Sequence, residues 1–253
     1  MVDCPICLCP IKKGEDNKIL ACGHEYHTEC LKTWLKDNST CPTCRGEVKK
    51  HEITSHFTPK RNAQGQLHCE DGPAVKDDDI EEWYINGKYH REDGPALITN
   101  SSQEWYQNGK LHRIGGPARI INGNINATEE WYINGQLHRE DGPAHVSPRN
   151  IKWYKHGELH RENGPAWKND GIKIWYYEGK RHRVGGPAVI SFDCKYWYQN
   201  GELHREDGPA EINADSERYY FEGKPHREGG PAVVYKHFRG CDEFWRHGMP
   251  SRG

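Results

Sequence analysis

Eight side chains near the start of the chain could hold metal: Cys4, Cys7, Cys22, His24, His27, Cys30, Cys41 and Cys44, spaced C-x2-C-x14-C-x-H-x2-H-x2-C-x10-C-x2-C. They fall into four close pairs, Cys4/Cys7, Cys22/His24, His27/Cys30 and Cys41/Cys44. One pair can grip an ion with a single tight turn, but a closed tetrahedral site takes four ligands, so eight suit two zinc ions. A disulfide framework or a cluster of reduced thiols is the competing reading, and four ordered pairs at zinc spacing argue against it. Cys9, Cys69, Cys194 and Cys241 follow no spacing of their own and read as reduced thiols.

Local elements must bring these pairs together. Lys18-Ile19-Leu20-Ala21 reads as a short strand leading into the second pair, and Thr28 to Lys36 as a helix. Leu31, Trp34 and Leu35 fall at i, i+3 and i+4, which gives that helix one apolar stripe. So small a region has too little core to fold unaided, and zinc binding would supply its folding free energy.

With the residues between the ligands included, residues 1–48 resemble the RING finger in its variant with two adjacent histidines. Tyr26 stands between the histidines where that family usually has Phe, and Ile6, Trp34, Pro42 and Arg45 occupy its remaining signature positions. Trp34 follows Cys30 by four, whereas a PHD finger has its Trp just ahead of the last cysteine pair. The resemblance implies interleaved sites, with Cys4, Cys7, His27 and Cys30 on one zinc and Cys22, His24, Cys41 and Cys44 on the other. It also implies a ubiquitin ligase that binds a ubiquitin-charged conjugating enzyme and holds the thioester in a reactive conformation, with no nucleophile of its own. Ile6, Trp34 and Pro42 would then form a shallow apolar contact for the enzyme. Arg45 would hydrogen-bond both enzyme and ubiquitin, a task suited to a planar fork of donors. For Ile6 and Trp34 the alternative is packing within the zinc fold.

The net charge of −2 over 253 residues divides into about +1 for residues 1–50 and −3 for the rest, which leaves no nucleic-acid footprint. No apolar run approaches a membrane span, and residues 1–30 lack the apolar segment of a secretory signal, so a soluble cytoplasmic or nuclear protein is expected. A mean hydropathy of −1.03 with five Phe and two Met would suggest disorder, but nine Trp and thirteen Tyr recur at a fixed period. That period marks a repeat stack, in which each unit packs on its neighbours.

Residues 49–62 show no periodicity and read as a linker. Beyond it Gly-Pro-Ala begins at Gly72, Gly94, Gly116, Gly142, Gly164, Gly186, Gly208 and Gly230, in steps of 22 except for one of 26 with an insertion around Asn122-Gly123-Asn124. Each unit approximates W-Y-x-N-G-x-L-H-R-x-D-G-P-A. Asn86-Gly87, Asn108-Gly109, Asn134-Gly135 and Asn200-Gly201 suit two-residue hairpin turns, while His156, Glu178 and Glu222 replace the Asn elsewhere. Counting from Asn86-Gly87, Ile85 faces Lys88, Tyr84 faces Tyr89, Trp83 faces His90 and Glu82 faces Arg91. One hairpin face would carry Trp and His, the other Tyr-Leu pairs with Glu-Arg pairs such as Glu104/Arg113 and Glu130/Arg139 beyond them. Gly-Pro-Ala breaks the strand and offers small side chains on which an indole can lie. The expected fold is therefore a small zinc-stabilised α+β domain, residues 1–48, followed by an all-β elongated array of antiparallel hairpins, residues 63–253. That array would have about eight 22-residue units of two strands each, with the Trp column as its spine.

These units resemble the MORN repeat in their aromatic-x-x-Gly hairpins and depart from it in the His-Arg-x-x-Gly-Pro-Ala half. Similar arrays are associated with large DNA viruses and some bacteria, and beside a RING finger that resemblance points to a virus of a eukaryotic host and to the host cytoplasm. In seven of eight units Arg follows the His, a row of cations that could meet phosphates or an acidic partner. Cross-strand pairing with the nearby Glu and Asp explains it without a ligand. A metal store or pH switch is the least favoured reading, because one His per hairpin spaces the rings too widely to share an ion. Three functions follow in order of preference: a ubiquitin ligase whose repeats select a protein target, a non-enzymatic zinc-stabilised scaffold, and an anionic-surface adaptor working through the arginines.

Overall fold

A β-hairpin and one helix carry the central ligands of the zinc region. Asn17–Ile19 pairs antiparallel with Glu25–His27, setting Lys18 opposite Tyr26. The strand stops before Leu20 because the Leu20 carbonyl accepts the Gly23 N–H and its own N–H reaches the His24 carbonyl. This closes the turn that presents Cys22 and His24. Gly23 sits there at φ +81°, a left-handed conformation that costs glycine nothing. The helix, α1, runs Thr28–Leu35 and turns Leu31 into the interior. Around it lies a core of six residues, Cys4, Ile11, Leu20, Tyr26, Leu31 and Cys41, two of which are metal-ligand candidates.

This is a computed structural model, which describes residues 2–12, 17–48, 58–122, 127–237 and 240–251. Residues 49–57 of the expected linker and the centre of the insertion around Gly123 lie outside the described residues. Lys60 already joins the repeats, giving its N–H to Ala74 O and accepting that of His68. The chain divides into two units, Met1–Gly109 and Lys110–Gly253.

In the first unit, Val75–Lys76, Ile80–Glu82, Leu97–Thr99 and Ser102–Glu104 form antiparallel ladders in chain order. In the second, a ladder of the same kind runs unbroken from Arg119–Ile121 to Val233–Tyr235, each strand pairing with its neighbours in chain order. Separate two-stranded hairpins stand beside the ladder, such as Tyr132–Ile133 with Gln136–Leu137 and Tyr154–Lys155 with Glu158–Leu159. A full unit thus has four short strands where the sequence suggested two. The change of ladder falls at the Trp. Trp131 donates its N–H to Ala144 O at the far end of its own unit at 2.7 Å, while its carbonyl accepts the His138 N–H of its hairpin at 3.0 Å.

The expected Tyr-Leu register holds at Tyr132/Leu137, Tyr154/Leu159 and Tyr198/Leu203. The expected Glu-Arg pairing does not. Glu82 lies in the ladder opposite Val75 and Leu97, Glu104 opposite Leu97, and Glu130 opposite Arg119 and His145. Arg139, past the end of its hairpin, has turned towards the following unit, its N–H donating to Tyr154 O at 3.3 Å. Its guanidinium carbon sits 4.2 Å from the centre of the Trp131 ring, with Nε on Asp141 at 2.8 Å and Nη1 on Pro143 O at 3.4 Å. Arg91, Arg161, Arg183 and Arg205 lie likewise over Trp83, Trp153, Trp175 and Trp197. A Cβ on Gly142 would meet the Arg139 guanidinium at 2.8 Å, so the end of that side chain would have to shift to admit one.

The spine also differs from the sequence reading. The alanines of Gly-Pro-Ala, from Ala74 and Ala96 in the first unit to Ala118 through Ala232 in the second, have no exposed surface, whereas the tryptophans are half-buried. A methyl can be enclosed between bonded strands; an indole capped by a guanidinium keeps an edge to solvent. Among the described residues no helix is long and apolar enough to cross a membrane.

Candidate metal centre

Two chain segments at opposite ends of the zinc region fold alike. In Cys4-Pro5-Ile6-Cys7-Leu8 the Leu8 N–H donates to Cys4 O at 2.8 Å and the Cys4 N–H to Cys9 O at 2.9 Å. In Cys41-Pro42-Thr43-Cys44-Arg45 the Arg45 N–H donates to Cys41 O at 2.9 Å and the Cys41 N–H to Gly46 O at 2.8 Å. Leu8 and Arg45 close these turns in the left-handed region, at φ 59° and 60°. Such strain in a non-glycine residue needs a compensating interaction, and an ion held by both thiolates of the turn supplies one.

The remaining pairs come from the central hairpin and from the start of α1. The structure sets Cys4, Cys7, His27 and Cys30 together, and Cys22, His24, Cys41 and Cys44 together, the ligand atoms of each set lying within 4.8 Å of one another. The pairs therefore interleave, first with third and second with fourth. Cys7 Sγ is 3.2 Å from His27 Nδ1, Cys22 Sγ 3.4 Å from His24 Nδ1, and Cys41 Sγ 3.7 Å from the same nitrogen. A tetrahedral zinc with ordinary Zn–S and Zn–N bonds sets its donors about 3.5 to 3.8 Å apart, so both donor sets fit zinc in spacing, number and type.

The surroundings prepare two of the thiols. Burial pushes the Cys4 thiol up, but backbone N–H groups of Cys7, His27 and Ile6 favour the thiolate more, and its pKa is lowered to about 6. At Cys41 burial is likewise outweighed by the Cys44 N–H and the Tyr26 hydroxyl, again to about 6. Tyr26 reaches both Cys41 Sγ, at 3.0 Å, and Thr43 Oγ1, at 2.7 Å. The hydroxyl that a Phe would lack is thus a support for one ligand. At Cys30, by contrast, burial followed by the neighbouring Cys7 raises the pKa to about 11.

Beside the first ligand set is an open hollow of about 470 Å³, lined by Ile6, Glu29, Cys30, Thr33, Trp34, Asp37 and Asn38. Trp34 is 37 % exposed, and its Nε1 donates to Thr40 O at 2.9 Å, which fixes the indole against the wall. Ile6 is half-buried and also packs against the core, so packing and exposure share this side chain. Pro42 is half-buried in the other cysteine turn and does not line the hollow; Arg45 is exposed after it. The sequence reading missed Glu29, Thr33 and Asp37. They fall at i, i+4 and i+8 beside the Trp34 stripe, a helical spacing that could have placed them on the same wall.

In the repeats, the arginine row that could have met anions is already engaged by Trp rings, Asp carboxylates and Pro carbonyls.

Two interleaved four-ligand centres around one short helix, followed by a long antiparallel hairpin array, define a RING-type zinc-binding region joined to β repeats. Residues 2–45 match the Ring finger domain family. A fruit-fly (Drosophila melanogaster) E3 ubiquitin-protein ligase RNF181 homolog is 42 % identical over 48 residues, covering 19 % of this chain and 33 % of that protein. The rice (Oryza sativa subsp. japonica) E3 ubiquitin-protein ligase EL5 is 47 % identical over 45 residues, 17 % of this chain and 14 % of EL5. RING-H2 finger protein ATL47 of Arabidopsis thaliana is 47 % identical over 47 residues, 18 % of this chain and 13 % of ATL47. The chain thus spans a third or less of the length of these curated relatives. No solved structure matches it.

Proposed function

We propose that this chain is a RING-type ubiquitin ligase that recruits a ubiquitin-charged conjugating enzyme through residues 1–48 and a protein target through its repeats. The observation that carries the reading is the apolar hollow between Ile6 and Trp34, held open on a surface that two metal centres would order. The naming of similar proteins as ubiquitin ligases supports it. The residues of this chain bind and orient; they attack nothing, and the gain in rate is one of positioning. Ile6 and Trp34 receive an apolar loop of the conjugating enzyme, with Pro42 at the margin. Arg45, exposed and set by its left-handed backbone, bridges enzyme and ubiquitin. Zinc, when bound, supplies structure only.

The repeats, MORN-like in their hairpins, offer a broad face for the target, and a viral protein acting in the host cytoplasm is the setting that the repeat resemblance favours. The test is ubiquitin discharge and autoubiquitylation with a panel of conjugating enzymes. Ile6→Ala and Arg45→Ala should each lower discharge tenfold or more, about 1.4 kcal/mol of lost transition-state stabilisation, with both zincs retained. Discharge by no enzyme in the panel, or at the parental rate in Arg45→Ala, would favour the scaffold.

A further inference from the structure

Successive repeats are joined by the same two hydrogen bonds at eight junctions, and one of the two depends on an uncharged histidine. The first residue of each hairpin turn gives its N–H to Nδ1 of the histidine one repeat earlier, at 3.1 to 3.2 Å, from Asn86 on His68 to His247 on His226. The turn's glycine donates to the carbonyl just before that histidine, as Gly157 does to Leu137 O at 2.9 Å. A nitrogen that accepts an N–H carries a lone pair, so each ring is the neutral tautomer protonated at Nε2. A proton on Nδ1 would set donor against donor.

At two junctions the turn residue is itself a histidine. His156 stacks on His138 with ring centres 4.4 Å apart, and His247 on His226 at 4.2 Å. Charging both rings of either pair would place two cations at that distance. We propose that these two histidine pairs make the repeat array acid-labile, protonation breaking the turn hydrogen bond and driving the stacked rings apart, so that the array opens first at these junctions as pH falls.

The neighbouring charges permit this. Burial, then His156 and Lys155, hold His138 below the usual histidine range; the opposing Glu140 carboxylate is 3.9 Å from its Nε2 but almost fully exposed, where an ion pair is worth little. The hollow between these repeats adds Arg139, Arg161, Glu162 and Asp141, two cations and two anions, along with His160. At the second pair Arg205 and Arg227 share the hollow with Glu206, Asp207 and Glu228, and Asp207 is held by Arg205 Nε. His112 differs from the rest, because Asn134 Oδ1 lies 3.0 Å from its Nδ1 and can accept the new proton. The sign follows from linkage. The folded His138 ring is held below the free histidine range, so its contribution to stability is fully present above the free histidine pKa near 6.5 and is lost as pH drops below it.

The test is thermal unfolding of the full chain, followed by tryptophan fluorescence from pH 7.5 to 5, for the parent and for His156→Asn with His247→Asn. Eight of the nine Trp lie outside the zinc region, and neither substitution touches it. Asn occupies the equivalent turn position at Asn86, Asn108, Asn134 and Asn200, so the variant should match or exceed the parent at pH 7.5. The parent's midpoint should fall by on the order of 10 °C across the range, and the variant's by half as much or less. Parallel profiles would overturn the proposal. In the parent, hydrogen-exchange protection of the His156 and His247 amides should be lost before that of Asn200; simultaneous loss would overturn it equally.

Discussion

The zinc region and the repeat array solve the same shortage of apolar side chains in opposite ways. Residues 2–48 concentrate their order at two points, and two of their six core residues are candidate ligand thiols, so the core should depend on the metal. The array spreads its order over eight near-identical junctions, each a turn N–H on an imidazole, a glycine N–H on a carbonyl and an alanine enclosed between strands. A few strong bonds make a domain that fails as a whole. Many weak ones make a domain that fails locally.

Metal removal should separate the two most sharply. Chelation, or Cys41→Ser, should unfold residues 2–48 outright, since structural zinc contributes about 10 kcal/mol or more, while the array's own melting transition stays in place. Metal analysis should give two zincs per chain before chelation. One zinc, or a single transition lost as a whole, would erase the distinction.

Within the array, Trp131→Ala should cost about 3 kcal/mol, the lower end for removing a large aromatic because the indole is only half-buried. Denaturant melts should show it, and hydrogen exchange should place the loss in the units flanking residue 131. A variant as stable as its parent would mean that the alanine column alone holds the units together.

The smallest effect is a gain. Glu222 holds the first turn position at φ 46°, where four other units have Asn. Glu222→Asn should stabilise by about 0.5 to 1 kcal/mol, because Asn adopts the left-handed region at less cost. No gain in the melting midpoint would show that the bond to His204 already fixes this turn whatever its side chain.

The spacing of Cys4 through Cys44 was enough to read two zinc sites, the hairpin turns followed from Asn-Gly, and the Tyr-Leu register from counting outwards, because each is local or near-local chemistry. The Arg139 side chain was misassigned to Glu130 because period-two counting assumes one continuous ladder. Nothing in W-Y-x-N-G announces that the chain changes ladders at Trp131. Nor does the pattern H-R-x-D-G-P-A say that the Arg will fold back over an indole and lie against Gly142. The hollow beside Trp34 was half visible in Ile6, whereas Glu29 and Asp37 join its wall only once the chain is folded.

The sequence by itself determined which atoms could bind metal, where each hairpin turns and how often the unit recurs, since those depend on residue type and on separations of a few positions. Only the tertiary structure decided which ligand pairs share an ion, which residue each arginine faces, and that the histidines bond forward to the next turn. The ligand and histidine partners lie 15 or more residues away or in the next repeat; the arginines' partners are near in sequence, but which of them is taken depends on where the chain crosses from one ladder to the next.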